Sequence, residues 1–167
     1  MTISIKARET NILPAGSYYV GDLCYLFGDK TDDIYQEYVC GVGNNDDKAV
    51  DIKAGRRKEF SAFYGSTAYG DGEFEDNENN KYSVDAGILG VVQLLSADLL
   101  AEAKKIDAEG YAKIIEFKKD FRVDRDEDGT FTFGHLTIVT DGSDQKEEEE
   151  EEEDSWDEED EENQGYW

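Results

Sequence analysis

Residues 147–153 are seven consecutive glutamates, and no other feature constrains the chain as much. Adjacent carboxylates repel one another and stay hydrated, so this block has no face with which to enter a core. It sits within residues 144–167, which hold 15 acidic residues against Lys146 alone, a net of −14. Whatever folds must be drawn from the residues before it. The expected organisation is a compact β-rich domain over residues 1–142 and a disordered acidic tail over residues 143–167.

The negative charge is not confined to the tail. Residues 1–143 carry 27 acidic and 16 basic residues, a net of −11 out of −25 for the whole chain. Such a surface repels phosphate backbones and anionic lipids, while its field speeds the approach of basic proteins at low salt. Direct contact with nucleic acid or membrane is therefore disfavoured, and a basic protein is the expected partner.

The body has the means to fold. The chain is 38% hydrophobic, with ten Tyr and eight Phe, enough apolar surface to offset the entropy of ordering one domain. Ile3-Ser4-Ile5-Lys6-Ala7 alternates with the period of a half-buried strand. Leu13-Pro14-Ala15-Gly16 reads as a turn, and Ser17-Tyr18-Tyr19-Val20 as a strand. After Gly21-Asp22, the apolar run Leu23-Cys24-Tyr25-Leu26-Phe27 is expected to continue as a second or bent strand. Thr31 is a candidate cap for a helix over residues 32–40, with acids in its first turn. Gly41, Gly43 and the Asn-Asp run that follows should end it in a loop. Phe60-Ser61-Ala62-Phe63-Tyr64 is a further strand, and residues 68–76 and 81–85 form a hairpin about a polar turn at 77–80. The nearly uninterrupted apolar run from Gly87 to Leu95 predicts the central strand. Ser96 then caps a helix that Gly110 stops. Alternation resumes in residues 113–118, 121–124, 130–133 and 136–139, with Asp128-Gly129 as the strongest hairpin signal. The fold class expected is α+β and mainly antiparallel β, a sandwich or partly open barrel of about eight strands with one or two short helices.

Cys24 and Cys40 are too few for a disulfide framework and lack metal-type spacing. The first residues carry no signal-like apolar run, and no stretch of about 18 apolar residues occurs. A cytoplasmic protein is expected, with both thiols free and packed as small hydrophobes.

The candidate motifs point away from catalysis. Asp124, Asp126 and Asp128 followed by Gly129 match the first half of a calcium loop, but the twelfth position is His135 and the flanks read as strands, so a solvated hairpin turn is favoured. Gly65, Gly70 and Gly72 form neither a dinucleotide fingerprint nor a phosphate-binding loop, and are read as turn glycines. A hydrolase would require His135, the only histidine, to meet a nucleophilic cysteine, Cys40 or Cys24, the latter together with Asp22 and Asp85. A small-ligand module would instead show a cavity behind the Gly70–Gly72 loop. No catalytic residue, metal ligand or cofactor is assigned. The basic cluster Arg56-Arg57-Lys58 is expected to pair with the protein's own acids, the tail included.

The tail also carries aromatic residues. Trp156 follows Asp154-Ser155, six further acids come next, and Gly165-Tyr166-Trp167 ends the chain. Aromatic residues are depleted in merely solubilising tails, so Trp156, Tyr166 and Trp167 are expected to anchor in apolar pockets of a basic partner, a solubility tail with incidental aromatics being the alternative. Asp154, Asp157, Glu158, Glu159 and Asp160 would then meet its Lys and Arg as phosphate-like charges.

The stretches Gly16-Ser-Tyr-Tyr-Val20-Gly-Asp22-Leu-Cys24-Tyr25, Ala68-Tyr-Gly-Asp-Gly72 and Val84-Asp-Ala-Gly87-Ile-Leu-Gly90 resemble a group of small bacteriophage and bacterial proteins. These share the order G-x-Y-x-x-G-D-P-C-Y, A-Y-G-D-G and V-D-[SA]-G-x-x-G; Leu23 stands where the group has proline. The resemblance spans about residues 13–140, implies a phage or prophage origin, and carries no activity or site residue with it. The expected function is that of a non-enzymatic acidic inhibitor in host takeover or counter-defence. It would mimic nucleic-acid charge against a basic DNA-binding host protein such as a polymerase, clamp, nucleoid or defence protein.

Overall fold

The computed structural model describes residues 3–27, 34–40, 46–54 and 58–141. In chain order its elements are β1 (Ile3–Ala7), β2 (Ile12–Leu13), β3 (Gly16–Gly21), α1 (Leu23–Phe27), α2 (Ile34–Tyr38), β4 (Val50–Ala54) and β5 (Lys58–Ser66). They continue with β6 (Gly72–Glu75), β7 (Lys81–Val84), β8 (Ile88–Gln93), α3 (Ala97–Ala108), β9 (Lys113–Phe117), β10 (Phe121–Arg125), β11 (Thr130–Phe133) and β12 (Leu136–Val139). Six strands form one antiparallel sheet in the order β1-β4-β5-β8-β3-β9, four form a second in the order β12-β11-β10-β2, and β6 pairs with β7 as a separate hairpin. Neither larger sheet closes into a barrel.

The central strand is where the sequence placed it. All six residues of β8 are buried, and the strand is hydrogen-bonded to β5 on one side and β3 on the other. Its apolar run is uninterrupted because successive side chains enter two different cores. Tyr19, Ala62, Tyr64, Ile88 and Val92 face the helices, against Leu23, Leu26, Phe27 and Leu99. Tyr18, Val20, Phe63, Leu89 and Val91 face the second sheet and the β6–β7 hairpin, against Phe131, Phe133, Leu136 and Tyr82. The result is three layers with the six-stranded sheet in the middle. Gly90 lets β5 and β8 lie together, since a Cβ there would run into the Phe63 carbonyl oxygen.

The local signals explain most of the connections. The Ser96 hydroxyl accepts from Leu99 N at 3.2 Å and caps α3, and Gly110 follows its end with φ +85°. Gly129 likewise takes φ +85° in the turn joining β10 to β11. Asp126 shapes that turn by accepting from both Asp128 N and Thr130 N at 2.9 Å.

The expected class, mainly antiparallel β with short helices, is the one observed, with twelve strands and three helices among the described residues. Two particulars change. The extra helix is α1, where a strand was expected: Leu23, Leu26 and Phe27 are its buried residues, the i, i+3, i+4 spacing of one helical face. Cys40 is exposed rather than packed, while Cys24 is half-buried, and both are free. The helix predicted over residues 32–40 is observed as α2, Ile34–Tyr38; its proposed cap, Thr31, lies outside the described residues. No helix among those residues is long and apolar enough to cross a membrane.

The β6–β7 hairpin depends on one carboxylate. Asp76 accepts from Glu78 N at 2.8 Å and Asn80 N at 3.0 Å through one oxygen, and from Tyr82 Oη at 2.7 Å and Asn80 Nδ2 at 3.0 Å through the other. Burial alone would raise its pKa; the hydrogen bonds from Tyr82, Asn80 and Glu78 outweigh that and hold it below the ordinary 3.8. A depressed folded-state pKa means stability that is complete above the unfolded value and lost as pH falls through the folded one. The Asp76→Asn variant is therefore expected to be less stable at neutral pH by roughly 1–3 kcal/mol. It should also lose less stability than the parent on acidification below the ordinary value of 3.8, as read by urea denaturation at a series of pH values.

Candidate functional site

The tail residues singled out from sequence, Asp154, Trp156, Asp157, Glu158, Glu159, Asp160, Tyr166 and Trp167, lie outside the described residues, as do Arg56 and Arg57. What the structure does place is the point from which the tail departs. Thr140 follows β12 and is fully buried. Its hydroxyl donates to Gly129 O at 2.5 Å and accepts from Ala68 N at 3.0 Å, while its carbonyl accepts from Tyr69 N at 2.7 Å. These bonds clamp the last strand to the β10–β11 turn and to the loop before β6. Both of those segments are acidic: Asp71, Asp126, Glu127, Asp128 and Asp141 are all exposed at this end of the molecule.

Beside them lies a junction that brings together three separate segments, around Asp22, the Gly70–Gly72 loop and Asp85. Asp22 has no exposed surface. One of its carboxylate oxygens accepts from Cys24 N at 2.9 Å, capping α1 at its second residue. The other accepts from Asp85 N and Ala86 N, both at 2.7 Å, fixing the turn between β7 and β8. Gly87 O in turn accepts from Thr67 N at 3.0 Å, and Asp71 Oδ1 stands 3.9 Å from where a Cβ on Gly87 would lie. The Thr67 hydroxyl closes the Gly70–Gly72 loop by donating to Gly70 O at 2.6 Å and accepting from Gly70 N at 2.9 Å. That loop is a tight turn, as its glycines suggested. Asp71 and Asp85 are held exposed at its surface, with Tyr25 and Tyr111 stacked nearby at 5.1 Å.

The junction does not assemble a thiol–imidazole pair. Burial, then the charges of Asp22, Asp85 and Asp71 together with a hydrogen bond to Asp22, push the Cys24 thiol up to about 12. It is protonated at neutral pH, the reverse of an activated nucleophile. His135 sits in the β11–β12 turn, 3.7 Å from Glu78 and 5.5 Å from the Phe117 ring. The convergence of Cys24, Asp22, Asp85 and His135 is thus only three-quarters realised. Asp126 commits one oxygen to the backbone of its own turn, and no three His, Cys, Asp or Glu side chains among the described residues are placed to hold a metal ion.

No significant match to the chain was found among protein-family models, curated proteins or solved structures.

Sequence reasoning missed Asp22 as a structural centre, although Asp before an apolar run with i, i+3, i+4 spacing is a cap signal. It had no means of finding the clamp at Thr140, whose partners are 11 and 72 residues away.

Two outcomes are expected. Asp22→Ala orphans three backbone N–H groups and should lower stability by about 3–5 kcal/mol; Asp22→Asn keeps one acceptor and should lose less, both read by urea denaturation followed by circular dichroism. In a timed iodoacetamide reaction at pH 8 read by peptide mass spectrometry, Cys40 should be modified first, with Cys24 slower than in the urea-unfolded chain by on the order of a hundredfold. Rapid modification of Cys24 in the folded chain would return it to consideration as a nucleophile.

Proposed function

We propose that this chain acts by binding, placing a continuous anionic surface against the nucleic-acid-binding face of a basic protein. The observation that carries the reading is the placement of the tail's root. Thr140 delivers the polyanion at the end of the body where Asp71, Asp85, Asp126, Glu127 and Asp128 are already exposed. Body and tail then present one anionic surface rather than two.

The charge spacing suits the role. An extended chain advances about 3.3–3.6 Å per residue, so a run of glutamates has a linear charge density close to that of one DNA strand, ~3.4 Å of helix axis per phosphate, with successive carboxylates on opposite sides of the chain. A cleft built for phosphates would accept it, releasing the same counterions. Trp156, Tyr166 and Trp167 would add apolar anchoring that a bare polyanion lacks. The phage-type resemblance supports a setting in which such a protein disables a host or defence factor in the cytoplasm.

The test is capture from bacterial lysate by the full chain, by a W156A/Y166A/W167A variant and by a chain ending at Gly142, at low and high salt. A basic nucleic-acid-binding protein should be captured by the full chain, be released by added duplex DNA, and lose affinity on the order of 10³-fold between 50 and 200 mM salt. Equal capture by all three chains would move the contact to the folded body, and salt-insensitive capture would remove charge mimicry as its basis.

A further inference from the structure

At the end of the second sheet away from the acidic loops, the β9–β10 connection and the β11–β12 turn enclose a groove of about 590 Å³. Lys118, Lys119, Arg122 and His135 stand around it, all exposed. Phe117 and Phe121 also line it, a stacked and nearly buried pair with ring centroids 3.8 Å apart and planes at 12°. Among the described residues none of Lys118, Lys119 and Arg122 takes part in an ion pair. Two acids also line the groove; the Asp120 carboxylate already accepts from Ala15 N at 3.0 Å, and Glu116 is exposed on the rim. On a body of net −11, three cations against two acids, with His135 beside Glu78, leave this groove slightly positive next to aromatic rings. Its complement is a segment both anionic and aromatic.

We propose that the chain's own residues 154–160 occupy this groove when no partner is bound. Trp156 would lie on the Phe117–Phe121 edge, and Asp154, Asp157 and Glu158 would face Lys118, Lys119 and Arg122. The charge is complementary, and an Arg beside an indole adds cation–π attraction. The reach is right as well. β12 runs from the groove end, at Leu136, to the tail's root, so the tail must return along one four-residue strand, about 14–17 Å at ~3.4 Å per residue. Fourteen residues separate Asp141 from Trp156, whose reach of about 50 Å at full extension exceeds that distance, and an intramolecular contact that the linker can span has a high effective concentration. A basic partner must then displace a contact the protein makes with itself, which weakens capture by partners that offer charge alone. The inference goes beyond the partner-binding reading and is tested without any partner.

Both tryptophans of the chain, Trp156 and Trp167, belong to the tail, so tryptophan fluorescence of the full chain reports the tail selectively. Acrylamide quenching is measured for the parent, for K118E/K119E/R122E, for the milder K118Q/K119Q/R122Q, and for a K104E/K105E control on α3, with circular dichroism confirming the fold of each. At ~0.01 M salt, where charges act over about 30 Å, quenching of the parent should be roughly twofold weaker than that of either groove variant. The control should behave as the parent, and salt at ~1 M should bring the parent to the level of the groove variants. Equal quenching of all four chains at low salt would overturn the proposal, as would an equal change in groove variants and control, which would reflect net charge alone. Protection that rises with protein concentration would also overturn it, by assigning the groove to the tail of a second copy. A tail found free in these experiments leaves the lysate-capture result standing or falling by itself.

Discussion

The buried carboxylate of Asp22 is the constraint on which this molecule's acidic end depends. A carboxylate withdrawn from water must have its lone pairs met. Three backbone N–H groups meet them, one from the start of α1 and two from the turn between β7 and β8. The same group therefore turns the chain from strand to helix and fastens two segments 63 residues apart. Tyr19 completes the arrangement by donating from its hydroxyl to Asp22 O at 2.5 Å. Without the junction the exposed carboxylates of Asp71 and Asp85 would have no fixed place, and α1 would lose the cap that sets its start after β3.

Around that point the molecule is built as a sheet buried on both faces. β3, β5 and β8 send alternate residues into two cores, and each core is closed by a layer too small to fold alone: short helices on one side, a four-stranded sheet and a hairpin on the other. The arrangement also separates charge. The turns at one end of the second sheet are acidic and adjoin the root of the tail, while the turns at its other end carry Lys118, Lys119, Arg122 and His135. Among the described residues of a chain of net −25, this groove thus gathers three cations against two acids.

Much of the fold was legible because the responsible signals are local. Period-two alternation located β1, β10, β11 and β12, the apolar run located β8, and Ser96 and Gly110 bounded α3. Asp128-Gly129 marked its hairpin because the left-handed conformation needed there is one that glycine adopts without strain. The run from Leu23 to Phe27 was misread because five apolar residues satisfy a strand and a helical turn equally well over so short a length. Only the cap at Asp22 distinguishes them, and that cap is stable because the same carboxylate is anchored by Asp85 and Ala86. Cys40 was expected inside on composition alone, which carries no information about which way a residue at the end of a short helix faces.

The sequence by itself determined that residues 144–167 are a polyanion of net −14, unlike the residues before them. It also determined that the body is antiparallel β around one doubly buried strand, since like-charge repulsion and hydrophobic periodicity act between near neighbours. Tertiary structure alone decided what stands beside what. It brought Asp22 to the β7–β8 turn, left His135 remote in its contacts from Cys24, set Thr140 against Gly129 and Ala68, and gathered Lys118, Lys119, Arg122 and His135 about one groove. These are encounters between segments up to 72 residues apart, settled by how two cores close at once and not by any pattern within a segment.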